Sequence, residues 1–179
     1  MTTKLNERMV KIILPNIIGH ERVAMASLAA FAKMYGFSSA RIEDLKTIVA
    51  EASINAMQHG NKGRENAEVV VTLGYKDNAI HVEVADQGDG IAEVLPKPDI
   101  DRIMNNQDPP IGFGVFLIQE LSDEVEFNLD SDSGHSLHIV VKKNTAWTGM
   151  RPVAKAAYRQ PQKMLGLLWW LKAQDDDAK

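Results

Sequence analysis

The sequence predicts an α/β chain of the two-layer α+β kind, with helices packed on one face of a mixed, mainly antiparallel sheet and a lid loop beside it. Three observations predict this. Two pairs of β-rich runs are each joined by a short turn, two helical segments precede the first pair, and a long stretch rich in Gly, Pro and Asn separates the pairs.

Taken in order, Arg8 to Leu14 (RMVKIIL) is apolar and β-branched and is punctuated by Pro15-Asn16, which reads as a strand and a turn. From Gly19 to Met34 the apolar residues Val23, Ala24, Leu28, Phe31 and Met34 recur at steps that fit a helix ending at Gly36. Ser38 or Ser39 then caps a second helix, RIEDLKTIVAEASINAMQH. Its stripe is Leu45, Ile48, Val49, Ala52, Ala56 and Met57, and it stops at Gly60-Asn61-Lys62-Gly63.

The runs AEVVVTLGY and AIHVEVAD, joined at Lys76-Asp77-Asn78, predict an antiparallel hairpin. After Asp86 the pattern dissolves into a loop of the length that lids and binding loops have, with weak helical signal only around Ile100 to Met104. A helix restarts near Gly114 (VFLIQELSD). A second hairpin follows, EVEFNLD and SLHIVVKK about the turn Ser131 to Gly134. The division expected is a folded domain over 1–143, then a linker and an amphipathic or apolar helical tail over 144–179 that carries Trp169 and Trp170.

With 179 residues, 45% of them hydrophobic, the chain has room for one substantial core. A net charge of -4 argues against direct nucleic-acid binding, which needs clustered Lys and Arg to neutralise phosphates. The absence of cysteine excludes disulfides, thiolate zinc sites and cysteine nucleophiles. No apolar run approaches the ~20 residues of a membrane helix, so a cytoplasmic location with no membrane association is expected.

Glu51, Asn55 and His59 are spaced four apart on the second helix, which stacks their side chains on one face. Such a row is ordinarily just the wet side of an amphipathic helix. Asp86-Gln87-Gly88-Asp89-Gly90 follows directly on a strand. Its Asp can accept a hydrogen bond from an exocyclic amine, and its glycines let the backbone approach a ligand. Gly112-Phe113-Gly114 opens a helix, where free N–H groups and the helix dipole favour phosphate. Each is weak alone, and the ordered set is not.

In that order, E-x-x-x-N on a helix, D-x-G-x-G after a strand and G-x-G at a helix start resemble the nucleotide-binding boxes of the gyrase, heat-shock chaperone, histidine kinase and MutL ATPase superfamily, from about Arg8 to Lys143. Within it, EASINAMQHG and GFGVFLIQELSDEVEF resemble the bacterial anti-sigma-factor serine/threonine kinases. The resemblance implies a Bergerat-type ATP-binding fold and an ATP- and Mg2+-dependent protein kinase. It implies Glu51 as the catalytic residue that orients or deprotonates the attacking hydroxyl, and Asn55 as the magnesium ligand. Asp86 would hold adenine, with Gly88, Gly90 and Ile91 around it. Gly112, Phe113, Gly114 and Val115 would meet the phosphates under a lid from Ile91 to Ile111, and Ser136 would assist at the base although His135 adjoins it.

The partners so implied are an anti-anti-sigma (STAS-domain) protein, a sigma factor and a second copy of the chain, through the first helix or the N-terminal strand. An ATP-binding regulatory module or switch kinase without sigma-factor control shares the same boxes. A complete sensor histidine kinase is not expected, since the stretch before the catalytic helix has no room for a helical hairpin bearing a phospho-accepting His. Lys97 and Arg102 in the lid read as solvated charges at least as readily as phosphate ligands. His59 reads as a partner of the helix dipole, and His20, His81 and His138 share no metal-ligand spacing.

Overall fold

A computed structural model of the protein describes residues 9–88, 102, 107, 112–128 and 135–143. The chain divides into two compact units, 1–94 with 114–145 and 95–113 with 146–179. In the second, the Gln107 N–H donates to the Arg102 carbonyl at 2.8 Å. Most of the described residues lie in the first.

The described elements run β1 (Met9–Pro15), α1 (Glu21–Met34), α2 (Ser39–Asn55), a π-helical turn (Ala56–Gly60), β2 (Glu68–Lys76), β3 (Ala79–Asp86), α3 (Phe113–Leu121), β4 (Glu124–Asn128) and β5 (His135–Lys142). The sheet order is β1-β2-β3-β5-β4, and all four pairings are antiparallel. The expected two-layer α+β class is therefore what forms. The β2–β3 hairpin closes on a two-residue loop, with Asp77 and Asn78 at φ 52° and 58°, the left-handed pair that matches strand twist and that Asn and Asp tolerate best.

Pairing register assigns the sheet faces. Leu14, Val69, Val71, Leu73, Ile80, Val82, Val84, Ile139 and Val141 share one face and are buried. The α2 stripe Leu45, Ile48, Val49, Ala52, Ala56 and Met57 is buried too, as its periodicity predicts. Each fully buried aliphatic residue stabilises the fold by about 1.5–3 kcal/mol. The α1 stripe is narrower than expected: Ala24, Leu28, Phe31 and Ala32 are buried, whereas Val23 and Met34 are 51% and 78% exposed. At 100° per residue those two fall together on one flank, well off the buried line.

Ser38 caps α2 by accepting the Arg41 N–H at 3.3 Å. Arg41 then ties three elements together. Its guanidinium donates to Asp44 (3.3 Å), Asp123 (2.6 Å), the Leu121 carbonyl at the end of α3 (3.0 Å) and the Lys142 carbonyl at the end of β5 (3.4 Å). Burial raises the Asp44 pKa despite that guanidinium, so losing Arg41 would strand a carboxylate.

Candidate active site

The floor of the site is α2. Glu51 and Asn55 lie one turn apart on it, and the helix then widens into the π turn, closed by the Asn61 N–H donating to the Ala56 carbonyl at 2.7 Å. A π turn advances each residue by less than 100°, so the four-residue stacking breaks after Asn55. His59 is exposed and turns away, and Gly60 faces the cleft instead. The expectation that His59 shares a face with Glu51 and Asn55 is corrected accordingly.

The cleft, open to solvent, has apolar walls from Ala52, Ala56, Val84, Val115, Phe127 and Leu137. Its polar groups are Asn55, Asp86, Asn128, His135 and Ser136. An apolar cleft with a few convergent polar groups suits a heteroaromatic base.

At one end, the loop after β3 is clamped from several sides. The Gln87 N–H donates to Asn61 Oδ1 (2.8 Å), and Arg64 donates to the Gln87 carbonyl (2.5 Å). The Gly88 N–H donates to Asp86 Oδ1 (2.8 Å), and His135 Nδ1 lies 2.9 Å from the Gly88 carbonyl. Asn61 is fully buried and spends its amide donors on Asn16 Oδ1 (3.2 Å) and the Glu68 carbonyl (3.0 Å). Gly88 lies directly against the Gly60 carbonyl, so a Cβ at Gly88 would collide with backbone; no other residue type lets β3 and the π turn come this close. Burial raises the Asp86 pKa from its ordinary value, with the Gly88 N–H, His135 and Arg64 pulling the other way.

At the other end, α3 starts over Glu51. A Cβ at Gly114 would fall 2.5 Å from Glu51 Oε2 and 3.6 Å from both amide atoms of Asn55, so glycine admits the helix start against two polar side chains. Neither side chain has a hydrogen bond or ion pair among the described residues. Burial pushes the Glu51 pKa up to about 7, with no cation to offset it. A carboxyl group poised near neutrality, beside a free amide and under a helix start, is equipped for proton transfer at an anionic ligand.

A family model described as "Histidine kinase-like ATPase domain" matches residues 14–141. The chain belongs to that family. It is 34% identical over 126 residues to the "Serine-protein kinase RsbW" of Bacillus licheniformis, covering 65% of this chain and 74% of that protein. It is 31% identical over 120 residues to the protein of the same name from Bacillus subtilis (strain 168), covering 62% and 70%. It thus falls in the serine-protein kinase branch of the histidine kinase-like ATPases, whose chemistry runs on ATP. The fold is also that of "The crystal structure of the RsbU and RsbW domains of Rv1364c from Mycobacterium tuberculosis", with a TM-score of 0.54 at 18% identity, over 75% of this chain and 32% of that longer one.

Of the residues expected at the site, Asn55, Asp86 and Val115 line the cleft, Gly88 is bonded to Asp86, and Gly114 lies against Glu51 and Asn55. Gly112 precedes α3 at φ 76°, and it and Phe113 belong to the second unit. Gly90, Ile91, Lys97 and the tail with Trp169 and Trp170 lie outside the described residues, as does the lid apart from Arg102 and Gln107. Ser136 lines the cleft, yet its register partner is Ala85, and Asp86 is paired with His135. The sequence reading passed over Phe127, Leu137 and the Asn61 clamp. Alternation along EVEFN and HSLHIVVK marks the first two, but Asn61 reads as a turn residue until its partners are seen.

Proposed function

We propose that this protein is an ATP- and Mg2+-dependent serine/threonine kinase that phosphorylates an STAS-domain partner, sequesters a sigma factor and so regulates transcription. Residues 1–143 form its catalytic domain, residues 144–179 an appended tail, and it works in the cytoplasm. The observation that carries the reading is the pairing of an uncompensated Glu51, with a pKa of about 7, and an unpartnered Asn55 beneath the start of α3.

In this reading Asp86 accepts the adenine amino group, and Gly88, Gly90 and Ile91 shape the backbone around it. Val115 packs in the cleft, with Gly112, Phe113 and Gly114 toward the phosphates and Ser136 near the base. Among the described residues no group of three or more His, Asp or Glu is placed to hold a metal ion. One amide oxygen still fits magnesium, which keeps several waters and takes its other ligands from phosphates. Asn55 would hold it, and the ion would supply charge neutralisation across the β- and γ-phosphates. Glu51 orients the partner's hydroxyl and takes its proton as oxygen attacks γ-phosphorus; the bond to the β,γ-bridging oxygen breaks and ADP leaves.

The likeness to the serine-protein kinases supports a protein hydroxyl as acceptor. A homodimer is supported by β1 at the sheet edge, with Met9, Val10 and Ile13 at 42%, 41% and 56% exposed. Sedimentation of Ile13→Asp is expected to show a monomer where the native protein shows a dimer; two monomers or two dimers would contradict that interface.

The test of function is transfer of labelled γ-phosphate from ATP to a candidate STAS-domain protein. Glu51→Gln is expected to bind ATP and transfer about 10²–10⁴-fold more slowly. Asp86→Asn is expected to weaken ATP binding about 10–100-fold. Transfer by Glu51→Gln at the native rate would overturn the assignment, and no transfer by the native protein to any partner would leave an ATP-binding module.

A further inference from the structure

The β3–β5 register sets His135 directly opposite Asp86, and paired residues of an antiparallel ladder project from the same face. Both line the cleft. A carbonyl oxygen can only accept, so the 2.9 Å contact from Nδ1 to the Gly88 carbonyl requires the hydrogen on Nδ1. In the neutral ring that leaves Nε2 with a bare lone pair, and Nε2 has no partner among the described residues. Asp86, when ionised, is also an acceptor only.

We propose that His135 is a second base-recognising side chain, whose Nε2 stands with the Asp86 carboxylate as a pair of acceptors that selects a six-amino purine over a six-oxo purine. The proposal rests on the cleft being an ATP site and deepens it. An amino group carries two hydrogens and can satisfy both acceptors, directly or through one water. An oxo group carries none, and two acceptors facing it are left unpaired, which is how buried polar groups reject the wrong ligand. The Gly88 carbonyl holds the ring in the tautomer that makes this possible, so the loop that carries Asp86 also sets the protonation pattern of its neighbour.

The experiment measures binding of ATP and of inosine triphosphate, which differs at the six position and the adjoining ring nitrogen, to the native protein, His135→Asn and His135→Phe. Asparagine reaches the position of Nδ1 and can keep the bond to the Gly88 carbonyl while leaving nothing at Nε2. The native protein is expected to prefer ATP by about tenfold or more, and His135→Asn to lose most of that preference, to within about threefold, while still binding both. His135→Phe is expected to lose the preference and bind both more weakly, since the loop is also released. An unchanged ATP preference in His135→Asn overturns the proposal, as does a native protein that binds the two equally. A native protein that binds neither nucleotide overturns the ATP site itself, and that result is distinct because no ligand then binds at all.

Discussion

At the proposed base end of the cleft, Asn61, Arg64 and His135 take up the polar groups of the loop after β3. At the proposed phosphate end, the Glu51 carboxylate and the Asn55 amide are without partners among the described residues. The contrast follows what each end has to hold. A base is rigid and nearly neutral, so its site gains from being fixed in advance. Phosphates and a metal ion bring charge that changes during the reaction, so the groups proposed to meet them gain from being free of competing bonds, and Glu51 carries the cost in its own pKa.

The largest effect that could break this contrast is kinetic. Because burial raises the Glu51 pKa to about 7, its base form is scarce at acid pH. The rate of transfer per unit of free enzyme is expected to rise about tenfold per pH unit below about 7 and level off above it. A profile flat from pH 5 to 8 would show that Glu51 is not the group whose deprotonation matters. Glu51→Gln should abolish this limb along with most of the activity.

Next comes the clamp. Asn61→Ala would leave the Gln87 N–H and the Glu68 carbonyl without the partner that the buried Asn61 side chain supplies, and is expected to cost about 1–3 kcal/mol in urea unfolding. If stability is unchanged, the base end is not held in the way described. Its ATP affinity should fall while the rate from the bound state stays close to native.

A smaller effect sharpens the contrast from the other side. A carboxyl whose folded pKa is raised from 4.5 to about 7 contributes stability that is fully present below 4.5 and lost as pH climbs through 7. Glu51→Gln removes that loss. The variant should therefore melt above the native protein at pH 8, by a margin that shrinks toward pH 5. A margin that is absent at pH 8, or that grows as pH falls, would place the Glu51 carboxylate in water. Such a gain, bought at the expense of activity, is usual where a reactive group is buried.

Much of the fold was readable in the sequence because its signals are local. Alternation in AIHVEVAD, the Asp77-Asn78 turn and the α2 stripe each follow from the geometry of one element. Glu51 and Asn55 were readable for the same reason, being one helical turn apart. An unbroken α-helix would put His59 on that face, but the π turn at Ala56–Gly60 brings the helix end against Gly88 instead, a contact between residues far apart in the chain. Val23 and Met34 satisfy a helical period yet stay exposed, since a period cannot say how wide the covering layer is. The side-by-side placement of His135 and Asp86 needed the β3–β5 register, which no single strand encodes.

The measurement that tests the two-ended cleft most directly is calorimetric titration of ATP, with magnesium and with a chelator, into the native protein and into Asn55→Ala. Magnesium is expected to tighten ATP binding to the native protein by about tenfold or more, and to change the binding of Asn55→Ala by less than about threefold. An equal response to magnesium in the two proteins, or no heat with millimolar ATP in either, would contradict it.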